Sequence, residues 1–67
     1  MTQFTIVVPT LNESENIDLL LNRLFALDIP SKNFEVIVVD DGSSDGTPDK
    51  VHAWEKRARV HLIQRTE

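Results

Sequence analysis

The feature that most constrains this chain is Phe34-Glu35-Val36-Ile37-Val38-Val39, a β-branched and aromatic run with a single charge, closed abruptly by Asp40-Asp41-Gly42. A half-exposed strand alternates apolar and polar residues. A near-continuous apolar run instead marks a strand covered on both faces, which is the habit of parallel sheets. Parallel neighbours need a crossover long enough to hold a helix, and the flanking sequence supplies two. Thr2 to Pro9 is another apolar, β-branched segment, ended by a proline that has no N–H for a sheet ladder. Between the two runs, Ile17, Leu20, Leu21, Leu24 and Leu27 recur at the three-and-four spacing of one helical face, with Asp18, Asn22 and Arg23 off it. The sequence predicts a helix whose cap is Asn12, Ser14 or Thr10, Glu15 lying three residues beyond Asn12, and whose end falls near Asp28, ahead of Pro30.

Beyond the second strand, Thr47-Pro48 has the form of an N-cap followed by proline at the first helical position, opening a helix through Val51, Trp54 and Ala58. Arg59 to Ile63 returns to a strand pattern. The predicted order is therefore β-α-β-α-β with right-handed crossovers, an α/β domain over residues 1–67. Such a unit is half of a doubly wound, three-layer sheet, with helices expected on both faces and an unpaired edge open to self-association. The chain reads as the N-terminal part of a larger fold.

Composition narrows the function classes. The 67 residues hold Lys+Arg 7 against Asp+Glu 11, a net charge of -4, and no cysteine. Disulfides and thiolate metal sites are excluded, which fits a reducing, cytoplasmic setting. The basic residues are scattered rather than gathered into a phosphate-neutralising patch, so nucleic acid is not the expected partner. No apolar run approaches the roughly 20 residues of a membrane span. Neither GxGxxG nor GxxxxGK[ST] occurs, and His52 and His61 have no partner at metal-ligand spacing.

Ligands of open parallel sheets bind outside the carboxyl ends of the strands, where this chain places two polar loops, Pro9 to Glu15 and Asp40 to Gly46. Adjacent strands bring the loops together into an acidic cleft lined by Thr10, Asn12, Glu13, Glu15, Asp40 and Asp41. Carboxylates accept from ribose hydroxyls or from a base edge, so the cleft suits a nucleoside better than bare phosphates. Asp45, Gly46, Thr47 and Pro48 read as turn and cap residues, and Trp54 as a packing anchor.

The two segments Val7-Val8-Pro9-Thr10-Leu11-Asn12-Glu13-Ser14-Glu15-Asn16-Ile17 and Glu35-Val36-Ile37-Val38-Val39-Asp40-Asp41-Gly42-Ser43-Ser44-Asp45-Gly46-Thr47 together resemble the opening of a family-2 inverting glycosyltransferase of the GT-A fold. Within that family the Asp-Gly-Thr ending and the tail Leu62-Ile63-Gln64-Arg65-Thr66 look most like polyprenol-phosphate (dolichol-phosphate) mannose synthases. The resemblance implies the nucleotide-binding part of a hexosyltransferase that takes a nucleotide sugar, GDP-mannose or a UDP-sugar, and passes the sugar to an acceptor such as polyprenyl phosphate at the cytoplasmic face of a membrane. By the same analogy Pro9, Thr10, Leu11 and Glu13 line the base and ribose pocket. Asp40 hydrogen-bonds the base, Asp41 lies beside the ribose, and Arg65 is close to the nucleotide. Family members also carry a later Asp-x-Asp that holds Mg or Mn against the diphosphate. The chain has no such motif, so the resemblance implies that the 67 residues alone are inactive.

Two other classes share parts of the pattern. Val-Val-Asp-Asp is similar to the acidic pair of receiver signalling domains, but there the pair follows the first strand rather than the second. A self-associating α/β module, pairing through its open edge, is the other alternative.

Overall fold

The structure, a computed structural model, describes residues 4–27, 30 and 33–65. Five elements occur in the expected order: β1 (Phe4–Thr10), α1 (Ile17–Phe25), β2 (Phe34–Asp40), α2 (Thr47–Glu55) and β3 (Val60–Gln64). The strands form one parallel sheet in the order β1-β2-β3. Its register pairs Thr10 with Asp40 and Asp40 with Gln64, so all three strands end side by side. Backbone bonds from Asp41 N–H to the Thr10 carbonyl (3.0 Å) and from Arg65 N–H to the Asp40 carbonyl (2.8 Å) carry the ladder one residue further.

Both helices pack on one face, which corrects the expectation of helices on both. Phe34, Val36 and Val38 of β2 are buried with Val60 against Ile17 and Leu21 of α1 and Val51 and Trp54 of α2. On the opposite face Val7 is 60% and Ile63 50% exposed. The cause is topological. Stepping from β1 to β2 to β3 moves twice in the same direction, and two right-handed crossovers of the same direction lay both helices on the same side. Only a reversal of strand order moves a helix to the other side. The double-sided apolar character of Phe34 to Val39 is thus matched by cover on one side among the described residues.

Helix α1 starts at Ile17, later than the capping pattern suggested. The Glu13 carbonyl accepts from Asn16 N–H (2.9 Å) and Ile17 N–H (2.8 Å), and Asn16 occupies the N-cap without a side-chain cap bond. Asn12, Ser14 and Thr10 do not cap, because each is engaged by the end of β2 or the loop after it. The inward stripe is Ile17, Leu21, Leu24 and Phe25, while Leu20 and Leu27, assigned to the same face by spacing, are exposed. The helix closes at Phe25, and the predicted end at Asp28 lies outside the described residues.

Helix α2 ends at Glu55, so Ala58 belongs to the turn after it, where its N–H is donated to the Trp54 carbonyl. Trp54 is the packing anchor its position suggested. Its ring stacks on Phe25 (centroids 5.9 Å apart), Phe25 stacks on Phe34 (5.1 Å), and its Nε1–H is donated to Asp18 Oδ1 at 2.9 Å. Sheet, first helix and second helix are thereby joined through three rings. At the middle of β3, Leu62 N–H is donated to Glu55 Oε2 at 2.9 Å.

Leu21→Ala, at a fully buried position, is expected to cost about 2 to 5 kcal/mol of unfolding free energy, whereas Leu27→Ala should stay within about 0.5 kcal/mol of the parent chain. Urea denaturation of the two variants side by side checks the assignment of the inward face; equal losses would contradict it.

Candidate functional site

The carboxyl ends of β1 and β2 project two loops, residues 11–16 and 41–46, and the contact between them is made almost wholly of polar groups. Its centre is Asp40, the last residue of β2 and only 1% exposed. Its Oδ1 accepts from Thr10 Oγ1 at 2.9 Å and from the Ser43 hydroxyl, and its Oδ2 accepts from Ser43 N–H at 2.9 Å. Burial alone pushes this carboxyl up. The hydrogen bonds from Ser43 side chain and backbone, from Thr10 and from Gly42 N–H outweigh that and hold it below the ordinary carboxylate value. Gly42 and Gly46 both have positive φ, 96° and 92°, which is how two sharp turns fit between Asp40 and α2.

From this centre the second loop grips the first. Asn12 N–H is donated to Ser43 Oγ (2.7 Å), Glu13 N–H to Thr47 Oγ1 (3.0 Å) and Ser14 N–H to Asp45 Oδ2 (3.0 Å). Asn12 Oδ1 accepts from Ser44 N–H at 2.9 Å, and Lys50 Nζ donates to the Ser14 carbonyl at 2.6 Å. Asp45 also accepts from Thr47 N–H and Thr47 Oγ1; Gly46 holds the N-cap of α2 without a side-chain cap bond, and Thr47, the expected cap, is the first helical residue. These bonds, the Thr47 hydroxyl first, draw the Asp45 carboxyl far below its usual range.

Successive loop N–H groups such as those of Asn12 to Ser14 can form an anion-binding nest. Here they are filled by the protein's own hydroxyls and carboxylate, and the N–H groups of Ser43, Ser44 and Thr47 are likewise used internally. Neither loop has spare backbone donors at these positions with which to cradle a phosphate.

The sequence-derived candidates separate accordingly. Thr10 and Asp40 lie inside the contact, buried and bonded to each other. Pro9, Leu11, Asp41 and Arg65 are exposed along the rim, Pro9 one residue before the end of β1 and the other three directly after β1, β2 and β3. Glu13 is half-buried and, with Pro9 and Thr10, lines a hollow of about 220 Å³ closed by Asn16 and Leu20. Asp40, expected to hydrogen-bond the base, is buried, and its oxygens accept from Thr10 and Ser43. Glu15 is exposed in the turn before α1. A larger hollow of about 510 Å³, between Phe25, Trp54 and Arg57, lies at the opposite end of the sheet.

Ser43 and Ser44, which tie the loops, were not singled out by the sequence. Serine in a glycine-rich turn carries no spacing signal, and its partner Asn12 is 31 residues away. Among the described residues no group of three or more His, Cys, Asp or Glu side chains could hold a metal ion, and no helix is long and apolar enough to cross a membrane.

Comparison with known proteins gives this geometry its context. A family model described as "Glycosyl transferase family 2" matches residues 5–67. The poly(ribitol-phosphate) beta-N-acetylglucosaminyltransferase TarS of Staphylococcus aureus is 39% identical over 64 residues, 96% of this chain and 11% of TarS. A dolichol-phosphate mannosyltransferase of Pyrococcus furiosus is 35% identical over 63 residues, 94% of this chain and 18% of that protein. Among solved structures, a mannosyltransferase of Pyrobaculum calidifontis in complex with GDP-Man and Mn2+ superposes with a TM-score of 0.86 at 37% identity, over 97% of this chain and 20% of that one. TarS residues 1–349 in complex with UDP-GlcNAc superposes with a TM-score of 0.84 at 38% identity, over 97% and 18% of the two chains.

The chain belongs to glycosyl transferase family 2, and its fold is the N-terminal, Rossmann-like half of a GT-A domain. It spans a fifth or less of the length of each of these relatives. Family membership replaces the receiver-like reading.

Asp40 and Asp45 make the acid limb of stability predictable. Both folded-state values lie below the ordinary 3.8, so the unfolded chain binds protons first as pH falls. The stabilisation they give is complete above 3.8 and drains as pH drops from there toward the lower folded values. Urea midpoints measured across the acid range should fall steeply below about pH 4, and Asp45→Asn, less stable at neutral pH, should show a flatter fall. Parallel curves would contradict the role of Asp45.

Proposed function

We propose that this chain is the donor-nucleotide half of a glycosyltransferase that takes a nucleotide sugar, GDP-mannose or a UDP-sugar, and passes the hexose to a phosphate-bearing acceptor such as polyprenyl phosphate at a membrane surface. The observation that carries the reading is the rim itself. Pro9, Leu11, Glu13, Asp41 and Arg65 stand exposed or half-exposed on a base that is rigid because Asp40, Ser43, Thr47 and Asp45 have used up the polar groups beneath. The relatives whose structures contain GDP-Man or UDP-GlcNAc support the donor class. The dolichol-phosphate mannosyltransferase supports the acceptor class.

The internal geometry favours the nucleoside end of the donor. An exposed carboxylate at Asp41 accepts from ribose hydroxyls or a base N–H, Leu11 and Pro9 offer apolar contact to a base face, and Arg65, directly after β3, offers a guanidinium to a phosphate. The buried Asp40 holds the loops from below, so in this reading the base contact passes from Asp40 to Asp41. The metal used by a relative does not fit the described residues, since Asp40 is saturated and no acidic cluster stands beside it. Transfer itself therefore depends on groups beyond residues 4–65, and the chain alone binds donor without turning it over.

Amide NMR of the chain titrated with GDP and with UDP, each with and without manganese, tests the reading. Shifts confined to residues 9–13, 41–42 and 65, with a preference for one base, are expected. Asp41→Asn should weaken binding about tenfold with the melting curve unchanged, whereas Asp40→Asn, which turns an amide N–H₂ toward Ser43 N–H, should cost about 1 to 3 kcal/mol of stability. Dispersed spectra indifferent to both nucleotides would overturn the assignment.

A further inference from the structure

Of the bonds that hold the loop after β1, those at its first turn centre on one hydroxyl of the loop after β2. A serine Oγ has one proton to give and lone pairs to accept with, and Ser43 uses both: it donates to the buried Asp40 Oδ1 and accepts the Asn12 N–H at 2.7 Å. The Asn12 side chain closes the return path by accepting Ser44 N–H at 2.9 Å. Between these two bonds Asn12 is held at φ 53°, the one described non-glycine residue in the left-handed region, where asparagine is tolerated better than most. A left-handed residue turns the chain sharply. It leaves Leu11 exposed on the rim and brings Glu13 back into the hollow beside Pro9 and Thr10.

We propose that Ser43, acting with Asn12, is a positioning residue for nucleotide recognition: it fixes the distance between the Pro9–Glu13 side of the rim and the Asp41 side without touching the nucleotide. The inference rests on the donor-binding reading above and extends it to a pair of residues that contribute no ligand contact. Its physical content is a single relay. The carboxylate of Asp40, anchored in the sheet, orients the Ser43 hydroxyl; the hydroxyl orients the Asn12 backbone; and the left-handed turn at Asn12 places Leu11 and Glu13. Loss of the hydroxyl frees Asn12 to relax toward ordinary backbone angles and widens the rim. The core cluster, to which neither Ser43 nor Asn12 belongs, is left as it was.

Four variants of the chain separate this from a general structural role. Ser43→Ala removes both bonds, Ser43→Thr keeps the hydroxyl, Asn12→Gly keeps the left-handed backbone but loses the Ser44 bond, and Asn12→Ala loses both. Two readouts are taken: affinity for GDP and UDP by NMR titration, and amide hydrogen exchange at residues 12 and 44 against Val36 and Val38. The expected result is affinity about tenfold weaker in Ser43→Ala and Asn12→Ala, near parental in Ser43→Thr and intermediate in Asn12→Gly. Exchange should speed up at residues 12 and 44 with Val36 and Val38 unchanged.

Undiminished nucleotide affinity in Ser43→Ala overturns the proposal while the donor-binding reading stands. Faster exchange throughout the core of Ser43→Ala also overturns it, by showing the hydroxyl to be a general stabiliser. If the parent chain takes up neither nucleotide, the donor-binding reading fails and the positioning role fails with it; exchange at residues 12 and 44 then reports separately on whether the clasp exists.

Discussion

The structure depends on a carboxylate that never meets solvent. Asp40 closes the central strand, and burying an ionised group at the end of a parallel sheet is costly unless every lone pair is met. The chain meets them with a threonine from the neighbouring strand, with the serine of the next turn, hydroxyl and N–H together, and with the Gly42 N–H. Each partner is thereby fixed, and each fixes something else: Thr10 the end of β1, Ser43 the loop that contains Asn12. A group whose solvation cost is met only by one arrangement of two loops selects that arrangement over others, which hydrophobic packing, being non-directional, does not do.

The same saturation explains what kind of ligand the edge is suited to. Loops at the carboxyl ends of parallel strands commonly offer free backbone N–H groups to phosphate. In this chain the N–H groups of Asn12, Glu13 and Ser14 are bonded across to the second loop and the first residue of α2. The outward-facing groups are side chains: an acid at Asp41, an apolar surface at Pro9 and Leu11, a guanidinium at Arg65. On the proposed reading, rigid backbone beneath and differentiated side chains above would distinguish the flat, hydrogen-bonding end of a nucleotide from its charged end.

Much of this was legible in the sequence. The order of elements is set by the β-branched run Val36 to Val39 and the helical spacing of Ile17, Leu21 and Leu24, because both are periodic signals. The placement of the candidate site at the ends of β1 and β2 comes from parallel topology together with Asp40-Asp41-Gly42. Other features had no local signature. That both helices lie on one face depends on strand order, which no stretch of sequence encodes by itself. Leu20 has the spacing of a core residue, but it sits to the side of the stripe set by Ile17 and Leu21 and opens onto the hollow beside Thr10. Asn12 and Thr47 look like helix caps because their side chains suit N–H groups in general; the groups they serve are on the other loop, more than 30 residues away. The inversion of Asp40 and Asp41, the first turned into the protein and the second left outside, is likewise decided by burial and not by composition.

The bare face of the sheet has a consequence for how such a chain comes into being. Strand order matches chain order, so each strand finds its neighbour one crossover away and the helix-covered side can close as soon as β3 emerges, with little loop entropy to overcome. The other side, with Val7, Pro9 and Ile63 exposed, gains nothing from that early closure and stays adhesive until something covers it. During synthesis of a longer polypeptide this would make the segment a finished half with an unfinished surface: ordered enough to template the strands made after it, and, for the interval before cover arrives, the part most in need of a chaperone.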